Sequence, residues 1–217
     1  MSITSFSESN TEACAAVIAA AFEQDPLYVH HLKSPTEKYL FSKFLIRKSL
    51  TLGEHSLVIS LDESEVASDK GEISSDKGVI QAAASYEVDS GHAIKRVLNQ
   101  LRFPFLKEVF NMQRFMSPAA FQFFNQYMKF TTSVRPKERH HYLVFIGVHP
   151  EAQGKGYGTQ LLNEIHRIVD SDVHSVGIGL DTENAANIAY YQRFGYALTG
   201  EKTLGDITIY TLFRKKS

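Results

Sequence analysis

Residues 140–162 read HHYLVFIGVHPEAQGKGYGTQLL, and three features of that stretch decide the architecture. Tyr142 to Val148 is a continuous apolar run of strand length, the pattern of a strand buried on both faces. Gln153-Gly154-Lys155-Gly156-Tyr157-Gly158 then forms a glycine-rich turn. Leu161, Leu162, Ile165, Ile168 and Val169 follow on one stripe of a helix. A turn of this kind between strand and helix suits an anion. Glycines let the backbone curl so that consecutive amides face one phosphate, and the helix N-terminus adds free N–H groups and its dipole. Lys155 can add a point charge at the rim.

Three phosphate-binding patterns were compared with this turn. A Walker loop fails twice, because His149 stands at its first glycine and Gly156 follows Lys155. A dinucleotide fingerprint fits Gly154 and Gly156 but ends on Thr159. The pattern [QR]-x-x-G-x-[GA] is met by Gln153, Gly156 and Gly158.

Toward the C-terminus, Val176, Ile178 and Leu180 alternate in a strand. Ala185 to Phe194 reads as a short helix closed by Gly195. Tyr196–Thr203 and Ile207–Phe213 read as a hairpin around Leu204-Gly205-Asp206. Toward the N-terminus, Ser9 and Glu12 fit a capping box for a helix that ends near Asp25-Pro26. A second helix is expected over about Glu37 to Leu52, stopped by Gly53. His55–Asp62 and Val79–Val88 read as strands. The repeated Ser68-Asp69-Lys70-Gly71 and Ser75-Asp76-Lys77-Gly78 between them read as an elongated hairpin loop. Residues 92–132 are helical in tone and rich in aromatic rings, with Ser117-Pro118 as a helix start. Most of these rings are expected in the core, with some walling a substrate cavity.

The third pattern is the pyrophosphate signature of the GNAT superfamily of N-acetyltransferases, and its surroundings resemble that family too. Residues 140–162 look like the family's fourth strand, loop and long helix. NAANIAYYQRFGY, from Asn184 to Tyr196, resembles its second signature through Asn184, Tyr191, Gly195 and Tyr196. Ala19 to Leu27 looks like the first helix of the branch holding puromycin-type and related small-molecule acetyltransferases. The strong resemblance covers about 140–196, and residues 62–78 match nothing in the family.

The resemblance implies a fold class of α/β (α+β): a mixed, largely antiparallel twisted sheet flanked by helices. Its strands four and five would be parallel and splayed around the cofactor. It implies a single domain over 1–217, with a coenzyme-binding core at about 140–196 and a loop insertion at 62–78. Acetyl-CoA would be the co-substrate, its pyrophosphate on the amides of Gln153, Gly154, Lys155, Gly156, Tyr157, Gly158 and Thr159. Phe145, Ile146, Gly147 and Val148 would pair with the pantetheine arm through main-chain groups, and a strand amide would polarise the thioester carbonyl. Asn184 would cap the short helix or bond the pantetheine. Tyr191 would protonate the departing thiolate. Tyr190 is expected to be packed.

The acceptor would be a primary amine that attacks directly in a ternary complex. Such an amine is protonated at neutral pH and needs a base. Histone-acetylating relatives carry a glutamate at the position aligned with Tyr142, so this chain departs from them there. Glu87 and His141 are the candidates for that base.

Two other readings stay open: a non-catalytic acetyl-CoA sensor on the same fold, and a dinucleotide-dependent oxidoreductase. The formal charge of -1 argues against bulk nucleic-acid binding. The lone Cys14 sits in an Ala-rich stretch and reads as core, and His30-His31 lacks further ligands at metal spacing, so no metal is expected. No stretch approaches the ~20 apolar residues that span a bilayer. A small-molecule partner, no membrane, a cytoplasmic location and a homodimer as one open assembly complete the expectations.

Overall fold

The computed structural model describes residues 1–5, 7–61, 74–75, 78–89 and 103–216. Its strands are β1 (Ser2–Thr4), β2 (His55–Leu61), β3 (Ser74–Ser75), β4 (Gly78–Asp89), β5 (His140–Val148), β6 (Gly177–Thr182), β7 (Ala197–Leu204) and β8 (Ile207–Lys215). Its helices are α1 (Thr11–Ala21), α2 (Pro26–His31), α3 (Pro35–Leu52), α4 (Phe103–Gln113), α5 (Pro118–Ser133), α6 (Tyr157–Ser171) and α7 (Ala186–Gln192). The sheet runs β1-β2-β4-β5-β6-β8-β7, with β3 pairing the start of β4. All its pairings are antiparallel except β5 with β6. The expected fold class therefore stands, and the family's fourth strand is β5 here.

The two faces of the sheet separate cleanly in the sequence. Ala82, Ala84, Leu143, Ile178 and Leu180 meet the α6 stripe of Leu161, Leu162, Ile165 and Val169. Val58, Ile80, Ala83 and Phe145 meet Ala13, Cys14, Val17 and Ile18 of α1 on the other face. The alanine run of β4 lets helices approach both faces closely. Each large apolar side chain buried in these layers contributes about 1.5–3 kcal/mol. A third cluster joins α2, α3, α5 and β8 through Tyr28, Phe41, Tyr127 and Ile209, and Phe123, Phe124 and Phe130 pack against it. Of the aromatic residues described in this region only Tyr127 is buried; Phe115, Phe121, Phe123, Phe124 and Phe130 are partly buried against the cluster, and Phe110 is exposed, so fewer of these rings are core than the composition suggests.

Helix ends follow their capping chemistry, with one correction. Ser34 and Ser117 accept from Glu37 and Ala120 amides at 3.1 Å each, with proline in the first turn. Gly53 closes α3 at φ 68°. The expected capping box of Ser9 and Glu12 does not form. Ser7 and Asn10 box a 3-10 turn instead, and Glu12 turns outward to pair with Lys43 and Tyr39 of α3. Asp25-Pro26 does more than end a helix. Asp25 accepts from the Leu27 amide at 3.0 Å and starts α2, which the sequence reading does not anticipate. The hairpin loop read at 62–78 lies almost wholly outside the described residues, although β2 and β4 pair as its arms.

Gly147 sets how closely α1 can lie on β5. A Cβ there would stand 2.8 Å from Ile18 Cδ1 and 2.9 Å from Ala21 Cβ. We expect Gly147→Ala to cost about 1–3 kcal/mol through overpacking, read as a lower urea midpoint at unchanged slope.

Candidate active site

The sheet opens where its two parallel strands meet. β5 and β6 pair only at His141↔Ile178 and Tyr142↔Gly179, and the rest of each strand runs on without the other. A register shift opposite Ser85 and Tyr86 leaves Val144 as an extra residue on β5 just past that junction. Such a bulge bends its strand and re-aims backbone groups. The result is a V, closed at residues 141–142 and open at the C-terminal ends of both strands, where ligands of α/β sheets gather.

The glycine turn lies above the open end. Gly154 and Gly156 adopt φ 76° and 82°, left-handed values that only glycine takes without strain, and Gly156 starts α6. Among the described residues, none of the amides from Gly154 to Thr159 has a hydrogen-bond acceptor. Gln153 anchors the turn by donating from Nε2 to the Val148 carbonyl at 3.3 Å. Lys155 is exposed at the rim. Phe145 is buried, and Ile146 and Val148 are partly buried, so their side chains belong to the packing. We expect Gly156→Ala to cost about 1 kcal/mol of stability from the positive φ alone. Its affinity for acetyl-CoA, measured by calorimetry, should fall about tenfold as the turn distorts.

α7 forms the opposite lip. Asn184 Oδ1 accepts from the Ala186 amide at 3.0 Å in a turn just before α7, whose N-cap is Ala185. Tyr190 is more than packing: its hydroxyl meets Thr159 Oγ1 at 3.3 Å and ties α7 to the glycine turn. Tyr191 is buried at 8% exposure between Tyr190 and Tyr196, with ring centroids 5.4 and 5.5 Å away. Its hydroxyl has no hydrogen-bond partner among the described residues. Burial, then the nearby Tyr190, Asp181 and Glu183, raise its pKa well above the ordinary phenol value.

The two candidate bases sit elsewhere. His141 is at the closed end of the V, its Nε2 3.1 Å from Asp172 Oδ2, and burial lowers its pKa. Glu87 lies beside Tyr142 on β4 and is bound to the buried Arg135 at 2.6 Å. The Arg135 guanidinium also covers the Tyr142 ring, 3.4 Å from its centroid.

The sequence reading missed a carboxylate pair at the mouth. Alternation along β6 sends Ile178 and Leu180 to the α6 side and turns Asp181 to the α5 side. There Tyr127 and Tyr142 both donate hydrogen bonds to Asp181. Glu183, just past β6, lies within hydrogen-bonding reach of the same Tyr127 hydroxyl. Tyr142 thus reaches across the V to a carboxylate on β6. The signal was legible: an acidic residue at the C-terminal end of a strand, on the face away from its apolar alternation.

Burial raises Glu183 to about 8, helped by Asp181 and Asp25. Burial also raises Asp25 to about 6 and pushes Asp181 upward. A carboxyl raised on folding stabilises the protein fully below its ordinary value of 4.5, and that stability is lost as pH rises through about 8. Tm is expected to fall between about pH 4.5 and 8 and to level off above that, and Glu183→Gln is expected to flatten that slope. A cavity of about 270 Å³, lined in part by Thr131, Arg135, Tyr142 and Phe213, lies on the same face.

Residues 118–196 match the model of the Acetyltransferase (GNAT) family. The matched stretch is similar to that family over about a third of the chain. The mycothiol acetyltransferase of Paenarthrobacter aurescens (strain TC1) is 36% identical over 70 residues, which are 30% of this chain and 22% of that relative. The match thus spans about a fifth of that curated relative's length. Among solved structures, a histone acetyltransferase HPA2 and related acetyltransferase from Corynebacterium glutamicum aligns with TM-score 0.62 at 17% identity, covering 100% of this chain and 96% of that one. Arabidopsis thaliana NAA60, solved with a bisubstrate analogue, aligns with TM-score 0.55 at 9% identity, covering 100% and 98%. At these identities the structural likeness speaks for the fold. The matched stretch includes α5, the V, the glycine turn and α7. No helix among the described residues is long and apolar enough to cross a membrane.

Proposed function

We propose that the protein is an N-acetyltransferase that moves acetyl from acetyl-CoA to a primary amine by direct attack in a ternary complex. The observation that carries this reading is the V between β5 and β6, opening onto the acceptor-less amides of Gly154 to Thr159. A diphosphate satisfies those amides, and the helix dipole of α6 favours its charge. The pantetheine arm then lies along the edge of β5 that faces β6, from Phe145 to Val148. An amide beside the Val144 bulge faces the thioester carbonyl and stabilises the oxyanion that forms there.

The acceptor approaches from the α2 and α5 side. Glu183, next to Asp181, takes the proton of the ammonium. A carboxylate poised near 8 is well matched to that task, and its buried position withholds it from competing water. Glu87 is held by Arg135 and helps fix Tyr142 against Asp181. The neutral amine attacks the carbonyl carbon, the tetrahedral intermediate collapses, and the C–S bond breaks. Tyr191, protonated across the physiological range, gives its proton to the sulfur, and the second proton that the nitrogen sheds as the amide forms restores the Tyr191 hydroxyl through water.

A thiol-release assay with acetyl-CoA against a panel of primary amines tests the proposal. The expected result is amine-dependent release with stoichiometric N-acetyl product. Cofactor binding with no amine-dependent release would favour a sensor instead, and binding of NAD in preference to acetyl-CoA would remove the reading altogether.

A further inference from the structure

We propose that Tyr127 is a positioning residue that couples Glu183 and Asp181 into a single proton-accepting unit. This rests on the acceptor-side reading above. The Tyr127 hydroxyl lies within hydrogen-bonding reach of Asp181 Oδ2 and of Glu183 Oε1. A phenol has one proton, so it can donate to only one of them. With both carboxylates ionised, one oxygen would face the Tyr127 oxygen with no proton between them, inside a buried site where such a contact is costly.

A proton on Glu183 resolves the conflict. Glu183 then donates to the Tyr127 oxygen, Tyr127 donates to Asp181 Oδ2, and Tyr142 donates to Asp181 Oδ1. Each proton in this row has an acceptor. The surroundings decide which end holds the extra proton. Asp25 and Tyr28 face the row from α2, Tyr142 from β5, Glu87 from β4, Arg135 from beyond α5, and Tyr191 from α7. Arg135 favours the charged form of Asp181, whereas Asp25 and Asp181 both favour the neutral form of Glu183. The proton therefore belongs on Glu183.

In turnover the row starts with Glu183 ionised. The ammonium N–H bond breaks, its electron pair stays on nitrogen, and Glu183 takes the proton. Glu183 then donates to the Tyr127 oxygen, while Tyr127 keeps its own proton and donates to Asp181 Oδ2. Glu183 takes one proton per acetyl group transferred and releases it to water before the next turnover. No electron changes hands.

The test is an infrared titration of the protonated-carboxyl carbonyl band in the full-length protein without substrate, alongside pH profiles of kcat/KM. The wild-type band should titrate near 8 and vanish in Glu183→Gln. Tyr127→Phe keeps the ring in its core position and removes only the bridge. Its band should titrate at least about one pH unit higher, and the acid limb of kcat/KM should move with it while KM for acetyl-CoA holds. Asp181→Asn, which removes the like charge, should move the band down. A band that stays in place in both variants overturns the proposal, as does a Tyr127→Phe enzyme whose activity falls by the same factor at every pH. If the infrared shifts appear but no amine is acetylated, the bridge stands and the acetyltransferase reading falls.

Discussion

Replacing Tyr191 by phenylalanine is expected to lower kcat about 10²–10³-fold while KM for acetyl-CoA stays within about twofold. The ring is wedged between Tyr190 and Tyr196, and phenylalanine keeps those contacts. What disappears is a hydroxyl that has no hydrogen-bond partner among the described residues, so no bond among those residues is lost by its removal. Stability should therefore change by less than about 1 kcal/mol. The thiolate leaving group has no proton donor in the variant. Its departure should become the slow step, detectable as a steeper dependence of kcat on thiol acidity when acyl-thioester analogues are compared. Equal losses in kcat and in cofactor affinity would instead mark Tyr191 as part of the binding wall.

Glu183→Gln should lower kcat/KM for the amine by about 10²-fold at pH 8 and remove the ionisation near that pH from the profile. The glutamine keeps the size of the side chain and can still meet Tyr127, but it cannot accept a proton. An acceptor whose own amine titrates well above 8 separates the two ionisations. With such an acceptor, the wild-type limb near 8 belongs to the protein, and in Glu183→Gln only the limb of the amine remains. A variant that keeps the limb near 8 would move the base to another group. Glu87→Gln and His141→Gln, made in parallel, would show which one.

Much of this site was legible from residues 140–196. The apolar run, the glycine turn and the helix stripe are local patterns, and local patterns survive folding. Capping by Ser34 and Ser117 was readable for the same reason, since each cap is decided within four residues. The base was harder to see because it depends on which strands become neighbours. Glu87 stands next to Tyr142 in the sheet, as its strand pairing suggests, yet Arg135 occupies it. Arg135 lies beyond α5, and nothing in the order of residues brings that segment over the Tyr142 ring. Asp181 and Glu183 needed two facts at once: the face on which β6 turns its acidic residue, and the arrival of Tyr127 from α5. Tyr190 packs as expected, but its bond to Thr159 was not legible, because that partner belongs to a different helix. The capping box was misplaced by two residues because Glu12 found a stronger partner in Lys43.

The most direct test is a crystal structure of the protein grown with acetyl-CoA and a non-reactive amine analogue. The expected density puts the diphosphate on the amides of Gly154 to Thr159 and threads the thioester between β5 and β6. The sulfur should lie within hydrogen-bonding distance of Tyr191, with the amine side facing Glu183. Cofactor bound away from that turn, or β5 and β6 paired along their full length beneath it, would contradict the assignment.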